Sequence, residues 1–282
     1  MLASLAGQGW LRASAYRPTS GSQPWEPVVA ADTVCTMANA LNRLDGTAHL
    51  DAPEVFADGA DLPTLIQLAG EPRVSGFTTN PTLLRKAGVT DYESFARSAL
   101  EVVGGRPISF EVLADDLDEI GRQARLLAGW GDSVFVKIPV MTTDGTSTHQ
   151  VVADLAADGV QLNVTALMTV RQVAVVSAAL AGGPPSYISV FAGRVADAGR
   201  DPMPIMSAAV AMLDPEPSQR LIWASPREVF NYVQAAQVGC HVITMTSDLI
   251  EKLATIGKDL DQFSLDTVTM FRNDAVASGF IL

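Results

Sequence analysis

The chain has 282 residues, a hydrophobic content of 48%, and 31 acidic against 19 basic side chains, for a net charge of −12. That length and apolar content suffice for one large core, while the acidity argues against nucleic acid or an anionic membrane as a partner, so an anionic substrate would have to meet a local cluster of arginines. Two cysteines, Cys35 and Cys240, and three histidines, His49, His149 and His241, fall at no metal-ligand spacing and outline no disulfide framework, which fits a reducing, cytoplasmic setting without a metal.

Residues 1–52 differ from the rest of the chain. They carry Gly, Ser and Pro, show no strong periodicity, and have no acidic residue before Glu26. No apolar run there is long enough for a signal peptide or a membrane span. Arg12 and Arg17 among small residues weakly resemble a transit peptide. A partly disordered tail or a capping extension is expected instead, with one short helix over Met37–Leu44.

From residue 53 onward, short apolar runs alternate with helical patterns. Strands are expected at Glu54–Asp58, Val74–Thr79, Pro107–Leu113, Ser133–Pro139, Val160–Thr165, Tyr187–Phe191, Arg220–Ser225 and His241–Met245. Helices are expected between them at Leu62–Leu68, Asp91–Val103, Leu117–Leu127, Ser147–Ala157, Val170–Ala181, Pro204–Leu213, Arg227–Ala236 and Leu249–Leu253. Strand alternating with helix eight times over residues 53–282 predicts an α/β protein, a single (β/α)8 TIM barrel with an extra C-terminal helix over Ser264–Ala277. A doubly wound sheet is the architectural alternative, but no glycine-rich dinucleotide fingerprint follows the first strand.

The most informative run is VFVKIPV, Val134–Val140, where one lysine interrupts an apolar strand. Alternation puts Val134, Val136 and Ile138 on one face and Phe135 with Lys137 on the other. An isolated ammonium is costly to bury, so such a lysine tends to lose its proton or find a partner. Lowering a lysine pKa from ~10.4 to about 7 or 8 corresponds to roughly 4 kcal/mol, and the neutral amine can then attack a carbonyl to form a Schiff base. The plain alternative is a lysine whose stem lies along apolar surface with its head in water. Other residues decide between them. A barrel gathers its site at the C-terminal ends of its strands. There Asp58 ends the first run, Asn80 follows the second, Glu111 sits in the third, Lys137 in the fourth, Asn163 and Thr165 in the fifth, and Ser189 in the sixth. Packing alone prefers apolar layers inside a barrel, so polar residues on six consecutive strands mark a site.

These residues also resemble a known family, the transaldolases and their relatives the fructose-6-phosphate aldolases. GFTTNPTLL (Gly76–Leu84), VKIPV (Val136–Val140), LNVTAL (Leu162–Leu167) and SVFAGR (Ser189–Arg194) are similar to the family's TTNP segment, Schiff-base strand, fifth strand and sixth strand. FADGAD (Phe56–Asp61) resembles its first strand, which selects Asp58 over Asp51. The resemblance runs from Glu54 to Phe280, roughly four fifths of the chain.

The resemblance implies transfer of a dihydroxyacetone unit from a ketose phosphate to an aldose phosphate. Lys137 would form the imine, which serves as the electron sink, so no cofactor is implied. Asp58 would take and return the proton of the hydroxyl beside the scissile bond. Glu111 would activate a water held by Thr165, and Asn80, Asn163 and Ser189 would bind the three-carbon unit. Arg194 and Arg227, with the Ser225 hydroxyl beside them, match positions that bind the sugar phosphate; the alternative for either arginine is an ion pair with Asp197, Asp201 or Glu228. In the family, glutamate on the third strand and phenylalanine on the sixth go with transfer, whereas aldolase-type members tend to carry glutamine and tyrosine. Glu111 and Phe191 therefore favour transaldolase over simple cleavage. Two departures, Val190 where a proline is common and the first fifty residues, leave the acceptor open and suggest a specialised sugar pathway rather than the pentose phosphate route. A non-catalytic sugar-phosphate barrel is the alternative from another class. Expected partners are sugar phosphates and further copies of the chain, without nucleic acid or membrane.

Overall fold

The computed structural model describes residues 52–281. The expectations for the N-terminal extension, including the Met37–Leu44 helix, and the competing carboxylate Asp51 lie outside the described residues. Eight strands, β1 (Glu54–Asp58), β2 (Val74–Thr78), β3 (Ile108–Glu111), β4 (Val134–Pro139), β5 (Leu162–Leu167), β6 (Ser186–Val190), β7 (Gln219–Trp223) and β8 (Val242–Met245), close into one barrel in chain order. Every pairing is parallel, including that of β1 with β8. The expected TIM barrel is the observed fold.

Alternation along each strand divides the molecule into two cores. Val134, Val136 and Ile138 of β4 belong to the outer core between strands and helices. The other face turns inward: Phe56, Phe135, Tyr187, Ile222, Ala224 and Val242, all from strands or strand ends, form a separate cluster inside the barrel. Its rings interlock, with Phe56 edge-on to Tyr187 at 5.3 Å and Phe135 tilted against Tyr187 at 4.6 Å. Each such buried aromatic contributes about 1.5–3 kcal/mol. Below this plug, Arg220 pairs with Glu54 at 2.8 Å and His241 Nδ1 accepts the Leu221 N–H at 2.9 Å. The apolar plug separates this lower ion pair from the polar inward residues at the upper end.

The intervening helices are α1 (Leu62–Ala69), α2 (Pro81–Lys86), α3 (Tyr92–Val103), α4 (Leu117–Ala128), α5 (His149–Ala157), α6 (Val170–Leu180), α7 (Ala192–Asp197), α8 (Met203–Leu213), α9 (Phe230–Gln237) and α10 (Ser247–Lys252), followed by α11 (Leu260–Ser278). Two of them, α2 and α7, are absent from the expected pattern. The signal for α2 lies in the sequence, since Asn80 caps it by accepting the Leu83 N–H and Pro81 opens its first turn. No side-chain cap announces α7, whose first flank is Phe191. Other boundaries shift for local reasons. β5 starts at Leu162 instead of Val160 because the Val160 N–H turns back to the Leu155 carbonyl. α9 starts at Phe230 instead of Arg227 because the Arg227 and Glu228 N–H groups bond to Asn231 Oδ1. α11 begins four residues before the expected Ser264, capped by Asp259.

Helix α11 is unlike the others, because none of its residues is buried. Leu260, Phe263, Met270 and Phe271 are all exposed, and so are Leu265, Val268 and Val276 on its other side. Among the described residues no helix is long and apolar enough to cross a membrane.

One inward position on β2 requires glycine. A Cβ on Gly76 would lie 2.5 Å from ring carbons of Phe56, itself locked against Tyr187. Gly76→Ala is expected to lower stability by about 1–3 kcal/mol through overpacking; equilibrium denaturation with an unchanged midpoint would show instead that the plug yields.

Candidate active site

Above the aromatic plug the barrel opens into a cavity of about 440 Å³, walled by Asp58, Asn80, Glu111, Lys137, Thr165 and Ser189 together with residues that follow β2, β6 and β7. Seven of the eight strands deliver polar side chains to one space, because the strands that carry them are parallel and end on the same side. Lys137 stands at its floor, 6% exposed. Its amine donates to the Thr79 carbonyl at 3.0 Å and lies 3.4 Å from Glu111 Oε2. β3 and β4 pair Glu111 directly with Lys137, which fixes that proximity by register.

Asp58 is the second carboxylate. It accepts from Thr78 Oγ1 at 2.8 Å and, at a long 3.5 Å, from Asn80 Nδ2. The Thr78 hydroxyl also meets that of Thr244 at 2.6 Å, and both threonines line the cavity. Thr78 belongs to the TTNP segment without being singled out there as a site residue, and Thr244, near a strand end, carries no special signal in the sequence. Burial pushes the Asp58 carboxyl above its ordinary range, against the opposing pull of the Lys137 charge and the two side-chain donors. Glu111 is raised for the same first reason, with Lys137 opposing and the charge of Asp58 adding to it.

The other sequence-selected residues divide into two groups. Thr165, Ser189, Phe191, Arg194 and Ser225 line the cavity. The Thr165 hydroxyl is buried without a partner. Arg194 sits one turn into α7, its guanidinium 5.7 Å from the centroid of the Phe191 ring. Asn163 and Arg227 do not line the cavity. Asn163 lies below the cavity inside the barrel, fully buried, donating to Ser109 Oγ at 2.9 Å and accepting from Ser189 Oγ at 2.7 Å. It orients Ser189 instead of facing the space. Arg227 is turned to Asp197, its Nε 3.1 Å from both carboxylate oxygens and its Nη2 in closer contact. The ion pair weighed as its alternative is the one formed. Of the charged side chains on the cavity wall, two are anions, Asp58 and Glu111, and two are cations, Lys137 and Arg194.

Backbone strain concentrates at the same rim. Among the described residues the only non-glycine residues with positive φ are Ala166 (64°) and Ser225 (62°), and both line the cavity. Ala166 falls in an irregularity where β5 advances three residues while β6 advances two, a bulge just beyond Thr165. The Ser225 carbonyl would lie 1.6 Å from a Cβ on Gly193, so only glycine lets the β7 loop touch the start of α7. Among the described residues no cluster of metal-ligating side chains occurs.

Comparison with known proteins covers the same part of the chain. The profile of the Transaldolase/Fructose-6-phosphate aldolase family matches residues 55–279. The chain belongs to that family. It is 36% identical over 199 residues to "Probable transaldolase 2" of Listeria monocytogenes, covering 70% of this chain and 87% of that protein. It is 34% identical over 192 residues to "Probable transaldolase" of Dehalococcoides mccartyi, covering 68% and 85%. With "Probable transaldolase" of Herpetosiphon aurantiacus it shares 32% over 217 residues, covering 76% and 94%. Among solved structures, a protein of Coccidioides immitis described as a dihydrodipicolinate synthase family member superposes with a TM-score of 0.54 at 11% identity, over 82% of this chain and 79% of the other. That likeness concerns the fold alone. The family match begins on β1 and ends at Gly279, which caps α11, so it spans the whole barrel.

The raised Asp58 carboxyl gives a signed expectation. A carboxyl that keeps its proton to higher pH in the folded than in the unfolded state costs stability as pH rises from about 4 through the folded value, and the loss persists above it. Asp58→Asn removes that cost. The variant should melt higher than the parent at pH 7, by roughly 2–4 °C per kcal/mol regained, and the difference should vanish below about pH 4. Thermal unfolding at both pH values checks this; a variant that melts lower at pH 7 would mean that the Lys137 attraction outweighs burial.

Proposed function

We propose that this protein is a transaldolase that transfers a dihydroxyacetone unit between sugar phosphates through a Schiff base on Lys137. The observation that carries the reading is the buried Lys137 amine on the floor of a polar cavity, within reach of one carboxylate and across from another. In this reading the amine adds to the ketone of a ketose phosphate, and the carbinolamine loses water to give the iminium. Attack requires an amine with a free lone pair, and Glu111 at 3.4 Å has the reach to take the proton, with its basicity strengthened by burial. The unpartnered Thr165 hydroxyl would hold the water that Glu111 activates. Asp58 removes the proton from the hydroxyl next to the scissile bond, that oxygen becomes the aldehyde of an aldose phosphate that departs as the carbon–carbon bond breaks, and the bond's electron pair moves toward the imine nitrogen to leave the enamine. The enamine then attacks the aldehyde of an aldose phosphate, Asp58 returns its proton, and hydrolysis frees the lysine. Asn80 and Ser189, both on the cavity wall, would bind the hydroxyls of the three-carbon unit. Phosphate recognition falls first to Arg194 and Ser225. Arg227 can join only by exchanging the Asp197 carboxylate for a phosphate, one anion for another. Such substrates belong to the cytoplasm, where we place the enzyme.

Intact and peptide mass after incubation with fructose 6-phosphate or sedoheptulose 7-phosphate and borohydride tests the reading. A reduced three-carbon adduct on Lys137 is expected in the parent and none in Lys137→Met. Absence of any adduct in the parent, with ligand still bound, would favour a sugar-phosphate binding barrel. Free three-carbon ketone released without an aldose acceptor would favour fructose-6-phosphate aldolase-type cleavage.

We also infer self-association through α11. An isolated helix is marginal in water, and α11 shows apolar residues on two sides with none buried. A second copy of the chain offers the matching surface by symmetry. Light scattering should find an oligomer that Phe263→Ser with Phe271→Ser reduces to smaller species; a monomeric parent would refute the inference.

A further inference from the structure

The ladder between β2 and β3 stops early, and the way its loose ends are tied links a tyrosine to Lys137. Phe77 N–H bonds to the Pro107 carbonyl at 2.8 Å and Thr79 N–H to the Ser109 carbonyl at 3.1 Å. The next rung of a parallel ladder would run from the Glu111 N–H to the Thr79 carbonyl. It is not made. At Asn80 the chain turns into α2, and the Thr79 carbonyl accepts instead from the Lys137 amine at 3.0 Å. The groups that β3 loses are recovered by one side chain from α3. Tyr92 Oη accepts the Glu111 N–H at 2.8 Å and donates to the Glu111 carbonyl at 3.0 Å.

Tyr92 is held for this task. Its ring packs edge-on against Trp130 at 5.5 Å and Phe110 at 6.1 Å. Burial raises its phenol above the ordinary tyrosine value, so the hydroxyl keeps the proton it donates. A buried N–H left without an acceptor is costly, and the nearest acceptor by register is the Thr79 carbonyl. Without the phenol, Glu111 and Lys137 would compete for that carbonyl.

We propose that Tyr92 is a positioning residue for Lys137: by standing in for the missing rung to the Glu111 main chain, it reserves the Thr79 carbonyl for the lysine amine. The inference rests on the Schiff-base reading for its consequence in catalysis, but its geometry stands apart from it. The amine is thereby aimed by a fixed main-chain oxygen, and Glu111 is anchored on the opposite side of its strand from Lys137. Tyr92 touches neither the cavity nor a reacting atom.

Tyr92→Phe keeps the ring and removes the hydroxyl. Its Lys137 adduct should form roughly ten-fold more slowly under borohydride trapping, with KM for the ketose phosphate moving by less than about three-fold, because the loss falls on the aim of the amine instead of on sugar binding. Trp130→Phe is the control, thinning the packing around Tyr92 while leaving its hydroxyl. It should lower the melting temperature and leave the trapping rate unchanged. A crystal structure of Tyr92→Phe should show Lys137 Nζ withdrawn from the Thr79 carbonyl and the Glu111 N–H turned toward it. Trapping in Tyr92→Phe within about two-fold of the parent would overturn the proposal, as would equal slowing in Trp130→Phe. A parent that forms no adduct would sink the Schiff-base reading, and the crystal structure would then decide alone: a Lys137–Thr79 contact unchanged in the variant overturns the positioning role.

Discussion

A lysine placed inside a barrel, directly above an apolar plug, is the constraint on which the site depends. Lys137 is nearly as buried as its apolar neighbours Phe135 and Val136, and a charge so placed is tolerable only with partners at hydrogen-bonding distance. Two are supplied, the Thr79 carbonyl and the Glu111 carboxylate. Each has a structural antecedent. Glu111 is delivered by the register of β3 on β4. The Thr79 carbonyl becomes available because β2 gives way to Asn80 and Pro81 before the ladder is complete. The TTNP segment thus does more than place an asparagine on the rim. Its proline ends the strand where the lysine needs an acceptor.

The plug below the site and the strain above it complete that arrangement. Phe56, Phe135 and Tyr187 exclude water from the lower barrel, so the groups above act in a medium where electrostatic contacts are strong and unpaired charge is expensive. Both Asp58 and Glu111 respond by rising in pKa, with burial as the first cause, at some cost to stability. Positive φ at Ala166 and Ser225, and a contact at Gly193 that admits no side chain, are further departures from the lowest-energy backbone. All three occur where β5, β6 and β7 end. The folded barrel carries this strain because its strands and helices are satisfied elsewhere.

The barrel was legible in the sequence because β/α alternation is a signal repeated eight times, and Lys137 because one charge in an apolar strand is conspicuous. Asp58, Glu111, Thr165 and Ser189 could be read as inward-facing from period two, and they reach the cavity wall. Asn163 obeys the same period yet sits one layer lower, since register along a tilted barrel sets depth, and register is not visible within one strand. Tyr92 was unreadable for a related reason. It opens a helix and carries no motif, and its importance comes from a rung missing between two other elements. Short helices α2 and α7 fall below the length at which periodicity speaks.

The two arginines show how much a shared sequence signal can conceal. Arg194 and Arg227 both follow strand ends and both have acidic residues near them in the chain. In the fold, Asp197 is claimed by Arg227 with a forked contact, and Arg194 is left on the cavity wall beside Phe191. Commitment of one guanidinium to an internal carboxylate keeps the mouth from holding two unbalanced cations. It leaves the cavity with two negative and two positive side chains, so a dianionic phosphate entering there meets a balanced field despite the −12 of the whole chain. Screening over about 8 Å at physiological ionic strength confines the influence of the acidic surface. A phosphate at this rim would therefore face the Arg194 guanidinium on the cavity wall and an Arg227 guanidinium already engaged by Asp197.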